Sequence, residues 1–255
     1  MKKYFLYGFL FILIVIISIE SLFINKKDTV AIIGAMDTEI SEIENNLSNI
    51  KHSQFADFKI ITGNIGDSKI ILSKSGVGKV NASTTTQFII DRYKPNYIIN
   101  IGVAGGVSSD LKAGDIVIAE KMLQHDFDLT ALGCSKGYMN DGDAPEKPTI
   151  YSSDEVLVEK FNKDKKYAKG TIATGDIFIT DLNLKKNINK EFGADIIDME
   201  SAAIAQTSKR NNTSVIIMRI ISDGLNDATN EYKQNKESLA NKLALLVVAV
   251  LKYQS

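Results

Sequence analysis

From Thr29 onward the chain repeats one pattern: a short, unbroken apolar run rich in Val and Ile, then a segment with helical spacing, then another such run. Val30–Ile33, Tyr97–Val103 and Val215–Ile221 show almost no polar/apolar alternation, which marks strands buried on both faces, in a sheet with helices on each side. Between them, Met36, Ile40, Ile43 and Leu47 recur at helical intervals over Met36–Leu47. Lys79–Tyr93 reads as a second helix that stops before Pro95, and a long last helix is expected from about Asn230 to Tyr253. Further strands are expected at Phe58–Thr62 and Lys69–Ser73 around the turn Gly66-Asp67, and at Asp115–Glu120, Thr171–Thr174 and Ala194–Ile197. The expected fold is α/β: one three-layer α/β/α domain with a mixed central sheet. Only three Pro in 255 residues favour one packed unit over several joined by linkers.

The N-terminus differs in kind. Met1–Lys3 carries two lysines, and Tyr4–Ile19 is an apolar run without charge. As a helix those residues would span roughly 24 Å, between a signal-peptide core and a full membrane crossing. Residues 1–28 are therefore expected to be a signal peptide or a membrane-contacting anchor, and both remain open. Ile19-Glu20-Ser21 is only a weak substitute for a cleavage site, and no Cys follows that could carry a lipid. Either way residues 29–255 would form the folded domain, exported or held outside the cytoplasm of a bacterium.

Composition removes several function classes. A net charge of -1 without a dense Lys/Arg cluster argues against nucleic acid as partner. One cysteine, Cys134, excludes an internal disulfide and a Cys-based zinc cage. His125-Asp126-Phe127-Asp128 has only His52 as a further histidine in the chain, too few nitrogen ligands for a metal centre. Ser73–Lys79, S-K-S-G-V-G-K, resembles the end of a phosphate loop, but Val80 stands where magnesium would need a hydroxyl. No Ser-His pairing supports a nucleophilic serine.

The expected strands end in unusual residues: G-A-M-D-T-E (Gly34–Glu39), G-V-A-G-G (Gly102–Gly106), T-G-D-I-F-I (Thr174–Ile179), D-M-E-S-A-A (Asp198–Ala203) and S-D-G (Ser222–Gly224). Each has an ordinary explanation alone. Glycines permit turns, Asp223 could cap a helix or turn, and Glu39 could lie on a solvated helix face. Together they fall at one edge of one sheet, where open α/β folds bind ligands.

With I-I-G-A-M-D-T-E, S-G-V-G-K-V-N-A, N-I-G-V-A-G-G, T-G-D-I-F-I, D-M-E-S-A-A and R-I-I-S-D in this order, the chain resembles the methylthioadenosine/S-adenosylhomocysteine nucleosidases of the purine nucleoside phosphorylase superfamily from Thr29 to its end. The resemblance implies hydrolysis of the N-glycosidic bond of 5′-thio-substituted adenosines, without cofactor or metal. It implies Glu39 as general base, and Asp223, steadied by Ser222, as the acid at purine N7. Arg219 would orient the water and its carboxylate, Glu200 would accept from the ribose hydroxyls and Met199 would lie against the sugar. Phe178 would stack on adenine and the Ile179 backbone would bond its edge. Val77, Val103, Ala104 and Gly105 would line the nucleoside site, with Val103 where many relatives have Ser. Asp198 replaces the more usual Glu. His125–Thr130 resembles a dimer-interface segment, so a homodimer is implied, with Leu129 reaching the neighbour's 5′-thio pocket. Two rivals stay open: a phosphorolytic nucleoside phosphorylase on the same fold, and an exported nucleoside-binding protein without catalysis.

Overall fold

Strand β1 (Thr29–Gly34) shows why the buried runs fold as they do. Its side chains alternate between two apolar layers: Val30 and Ile32 join one core, Ala31 and Ile33 the other. The computed structural model describes residues 27–139, 145–225 and 228–253. The remaining elements are α1 (Asp37–Asn45), β2 (Ser48–Phe55), β3 (Phe58–Ile65), β4 (Ser68–Lys74), α2 (Lys79–Tyr93), β5 (Tyr97–Gly106), β6 (Ile116–Gln124), a 3-10 turn at Thr130–Leu132, β7 (Tyr151–Ser152), α3 (Glu155–Phe161), β8 (Ala168–Thr174), α4 (Leu182–Phe192), β9 (Ile196–Asp198), α5 (Ser201–Arg210), β10 (Ser214–Asp223) and α6 (Ala228–Tyr253). Ile40 and Ile43 of α1 and Leu243, Val247 and Leu251 of α6 cover one face, while Ala82 and Ile89 of α2 and Ala202 and Ile204 of α5 cover the other. This is the expected α/β/α arrangement around a mixed sheet.

The pairings add a feature that the strand list could not show. β5 pairs in parallel with β10, which pairs antiparallel with β6; β6 and β9 both run parallel to β8, and β9 returns antiparallel to β5. That half of the sheet closes on itself, while β4, β3 and β2 extend beyond β1 as an open meander. Closure brings the ends of β5, β8, β9 and β10 around one space.

Several boundaries differ from expectation. β2 has no signal in the sequence, because S-N-I-K-H-S-Q is exposed and only Phe55, at its end, packs inward. It forms by pairing with β3, and such a polar edge resists further strand addition. α1 stops at Asn45, two residues short of Leu47. β6 runs on past Glu120 to Gln124 through a register shift between Ala119 and Lys121. β9 begins at Ile196 rather than Ala194, since Asp195 already bonds Thr171 through both its N–H and its carboxylate. Among the described residues no helix is long and apolar enough to cross a membrane. The N-terminal apolar run, residues 4–19, lies outside the described residues.

Candidate active site

At the C-terminal ends of β1, β5, β8 and β10 the chain leaves a cleft of about 590 Å³, open to solvent. Glu39, Val77, Val103, Ala104, Gly105, Phe178, Ile179, Met199, Glu200, Ser222 and Asp223 all line it, so the strand-end segments do converge.

Glu39 sits in the first turn of α1, where its position also explains the local fold. Its Oε2 accepts from the N–H groups of Ala35 (2.6 Å) and Met36 (3.0 Å), the carboxylate half of a capping box, while the Glu39 N–H goes to the Met36 carbonyl. Its Oε1 accepts from Val103 N–H at 3.0 Å, across on β5. Burial pushes its pKa above the ordinary carboxylate value, opposed by the Arg219 charge and these three backbone bonds. Gly102 makes the approach possible, since a Cβ there would stand 2.6 Å from Glu39 Oε1 and 3.1 Å from Arg219 Nη1. The result is a fixed, poorly solvated carboxylate whose affinity for a proton is raised, as a base needs.

Arg219 is placed differently from the water-orienting position implied by resemblance. It is 1% exposed and lies beneath the cleft instead of among its lining residues. Its Nε and Nη2 bond Asp198 Oδ2 at 2.9 and 2.8 Å, and Nη2 also donates to Asn100 Oδ1 at 2.6 Å. Asp198 is held in turn by the hydroxyls of Thr174 and Ser201. Arg219 therefore acts on Glu39 through charge and lies 4.0 Å from Glu200. Asp198, one carbon shorter than the Glu expected from the resemblance, reaches it.

Glu200 accepts from Gly78 N–H at 3.0 Å. Burial first, then the Asp198 charge, pushes its pKa up to about 7. The phosphate-loop-like segment is thus committed to protein contacts, because the Lys79 ammonium also bonds Asp126 (2.6 Å) and Gln124 (3.0 Å). Across the cleft, a register shift between Ile221 and Asp223 opposite β5 turns the end of β10, a usual device for re-aiming a side chain. Ser222 Oγ donates to Asp223 Oδ1 at 2.7 Å, as expected, and Asp223 is 3% exposed. Gly105 leaves it room, since a Cβ there would lie 3.2 Å from Asp223 Oδ2. Among the described residues no cluster of His, Cys, Asp and Glu side chains converges to hold a metal.

The profile of the phosphorylase superfamily matches residues 29–252. The 5′-methylthioadenosine/S-adenosylhomocysteine nucleosidase of Bacillus subtilis (strain 168) is 38% identical over 201 residues, 76% of this chain and 84% of that protein. The chain belongs to this nucleosidase family of the phosphorylase superfamily. Solved structures of the family superpose closely. The S-adenosylhomocysteine nucleosidase of Streptococcus pyogenes, in complex with 5-methylthiotubericidin, matches with a TM-score of 0.83 at 31% identity, over 91% of this chain and 99% of that one. The Neisseria meningitidis 5′-methylthioadenosine/S-adenosylhomocysteine nucleosidase, in complex with methylthio-immucillin-A, matches with a TM-score of 0.80 at 33% identity, over 88% and 99%.

Two polar residues of this nucleosidase-family site, one lining the cleft and one buried behind it, carry little or no signal in the sequence. Tyr232, on the first turns of α6, lines the cleft with its ring edge-on to Phe178 at 5.1 Å and its hydroxyl 3.4 Å from Met36 Sδ. Its only sequence signal was an aromatic shortly after the S-D-G strand end. Lys185, the second, had none. Leu129 lies outside the lining of its own chain's cleft.

The raised pKa of Glu200 gives a stability prediction. Ionising Glu200 is harder in the folded chain, at about 7, than at the ordinary 4.5. Its contribution to stability is therefore complete below about 4.5 and is lost as pH rises through about 7. Glu200→Gln keeps an acceptor for Gly78 and removes the buried charge. At pH 8 it should stabilise the protein by about 1–3 kcal/mol, with little gain at pH 4.5. Thermal melts at the two pH values check this; an equal shift at both would contradict it.

Proposed function

We propose that this protein hydrolyses the N-glycosidic bond of 5′-methylthioadenosine and S-adenosylhomocysteine, with 5′-deoxyadenosine as a further candidate, releasing adenine and the corresponding thioribose or deoxyribose. The observation that carries this is a single cleft lined by a backbone-fixed, poorly solvated Glu39 and by the Ser222–Asp223 pair. Such a pair suits an inverting displacement by water, in which a base and an acid serve opposite ends of the breaking bond. Glu39 takes the proton of the attacking water, and Asp223 delivers one to N7 as the base leaves. Glu200 accepts from the ribose hydroxyls against Met199, while Phe178 and the Ile179 backbone hold the purine. Val77, Val103, Ala104 and Gly105 shape the walls. Arg219 keeps Glu39 and Glu200 at their working charge from below. The reaction needs neither metal nor organic cofactor.

Phosphorolysis is disfavoured because phosphate requires several free, fixed cationic donors. Lys79 and Arg219 are both committed to carboxylates. Adenine release should therefore proceed at the same rate with and without phosphate, yielding a free reducing sugar. A phosphate requirement with a sugar 1-phosphate product would assign a phosphorylase, and tight nucleoside binding without turnover would assign a binding protein.

The working form is proposed to be a homodimer. Around the mouth of the cleft and the segment after β6, Val80, Leu132, Ile177 and Phe178 expose large apolar surface, which a second copy would cover. Leu129 would then reach the neighbouring site. Residues 1–28 are proposed as a signal peptide or anchor that places the catalytic domain, 29–255, outside the cytoplasm. β1 starts at the sheet edge opposite the cleft, so an anchor preceding Lys27 would leave the mouth clear.

A further inference from the structure

Lys185 lies on α4 in the stretch L-N-L-K-K-N-I-N-K, which looks like a solvated charged face. Lys186 and Lys190 are indeed exposed, but Lys185 is completely buried. Its Nζ donates to Asp223 Oδ2 at 2.9 Å and to the Gly224 carbonyl at 2.7 Å. Ser222 Oγ donates to the other oxygen, Oδ1. Both oxygens of Asp223 therefore accept hydrogen bonds, one of them from a cation. In this buried ion pair the carboxylate oxygens act as acceptors, and the transferable proton is the one that the ammonium donates. Yet the proposed hydrolysis, on which this inference rests, asks Asp223 to give one to the departing purine. Once a purine covers Asp223, the nearest acidic proton is on Lys185.

We propose that Lys185 supplies the proton that Asp223 passes to purine N7, so that the acid of this protein is a Lys–Asp pair. With the purine in place, Lys185 Nζ passes a proton to Asp223 Oδ2. Oδ2 delivers it to N7 as the C1′–N9 bond breaks and its electron pair moves into the purine. Asp223 returns to carboxylate, Lys185 is left as a neutral amine on the Gly224 carbonyl, and solvent reprotonates it when adenine leaves. Excluding water favours the first transfer, because a buried ion pair loses its hydration while a neutral acid and amine do not need it. Ser222 keeps the carboxyl oriented throughout. Lysine suits the task and arginine would not, since a guanidinium does not give up its proton in a protein. Lys185 touches no substrate, so it is a positioning and proton-supplying residue acting through Asp223.

The test compares two leaving groups in the full-length chain. 5′-Methylthioadenosine needs a proton at N7; the 5-methylthioriboside of p-nitrophenol leaves as a stable anion and needs none. Lys185→Met should lower kcat on the adenosine substrate by about 10²-fold or more, while p-nitrophenol release stays within about threefold of wild type. Lys185→Arg, which keeps the charge, should fail in the same selective way. If Arg restores adenine release, Lys185 is only an electrostatic clamp. If both substrates slow in parallel, its role is structural; either result overturns the proposal. Should Met leave no folded protein, Lys185→Gln, which still donates to Asp223, takes its place under the same criteria. Absence of adenine release by the wild type would instead reject the hydrolase assignment itself.

Discussion

Glu39→Gln is expected to lower turnover of 5′-methylthioadenosine by about 10³-fold, within the usual range for loss of a general base, while a transition-state analogue still binds. The amide keeps the shape of the side chain but cannot take a proton from water. The structure sharpens the expectation. Glu39 accepts three backbone N–H bonds through its two oxygens, from Ala35, Met36 and Val103. A Gln must set its NH2 against at least one of these donors, costing about 1–3 kcal/mol for the unsatisfied group. Removal of a desolvated charge offsets part of that loss, so the melting temperature should move far less than the rate. In the wild type the same carboxylate must be ionised to act. Because burial raises its pKa, kcat/KM should fall on acidification at a midpoint above 4.5. Turnover of the Gln variant within tenfold of wild type would remove Glu39 as the base.

Adenine nucleosides should react and the matching hypoxanthine nucleosides should not, by a factor of about 10⁴. Asp223 is proposed to give a proton to N7 while its carboxyl group also accepts from the 6-amino group. A 6-oxo purine places an acceptor against an acceptor in a site where Asp223 is 3% exposed, too buried for water to relieve the mismatch. Asp223→Asn should likewise lose far more turnover than ground-state binding, because an amide cannot protonate the leaving base. The measurement is purine release from 5′-methylthioadenosine and 5′-methylthioinosine under identical conditions. Comparable rates would end both the role of Asp223 and the assignment to adenine nucleosides.

The sequence by itself determined the layered architecture. Val30–Ile33, Tyr97–Val103 and Val215–Ile221 can satisfy their apolar side chains only when covered on both faces, and that forces helices onto each side. It also pointed to one edge of the sheet as the ligand edge, because glycines and carboxylates gather at successive strand ends there, while the resemblance to a known family named the individual residues that meet at the cleft. Exposed and closely coupled features escaped it. β2 carries no buried face beyond Phe55 at its end and is held along the rest of its length by hydrogen bonds to β3. The closure of β5, β10, β6, β8 and β9 depends on pairings between strands far apart in the chain. The deeper limit is set by charge. A carboxylate or an ammonium reads the same in a sequence whether it faces water or another ion. Only the folded chain decided that Arg219 turns to Asp198, that Lys79 is held by Asp126, and that Lys185, alone among the lysines of its helix, points inward to Asp223. Burial then turned these charges from solvated surface groups into ion pairs whose geometry is fixed.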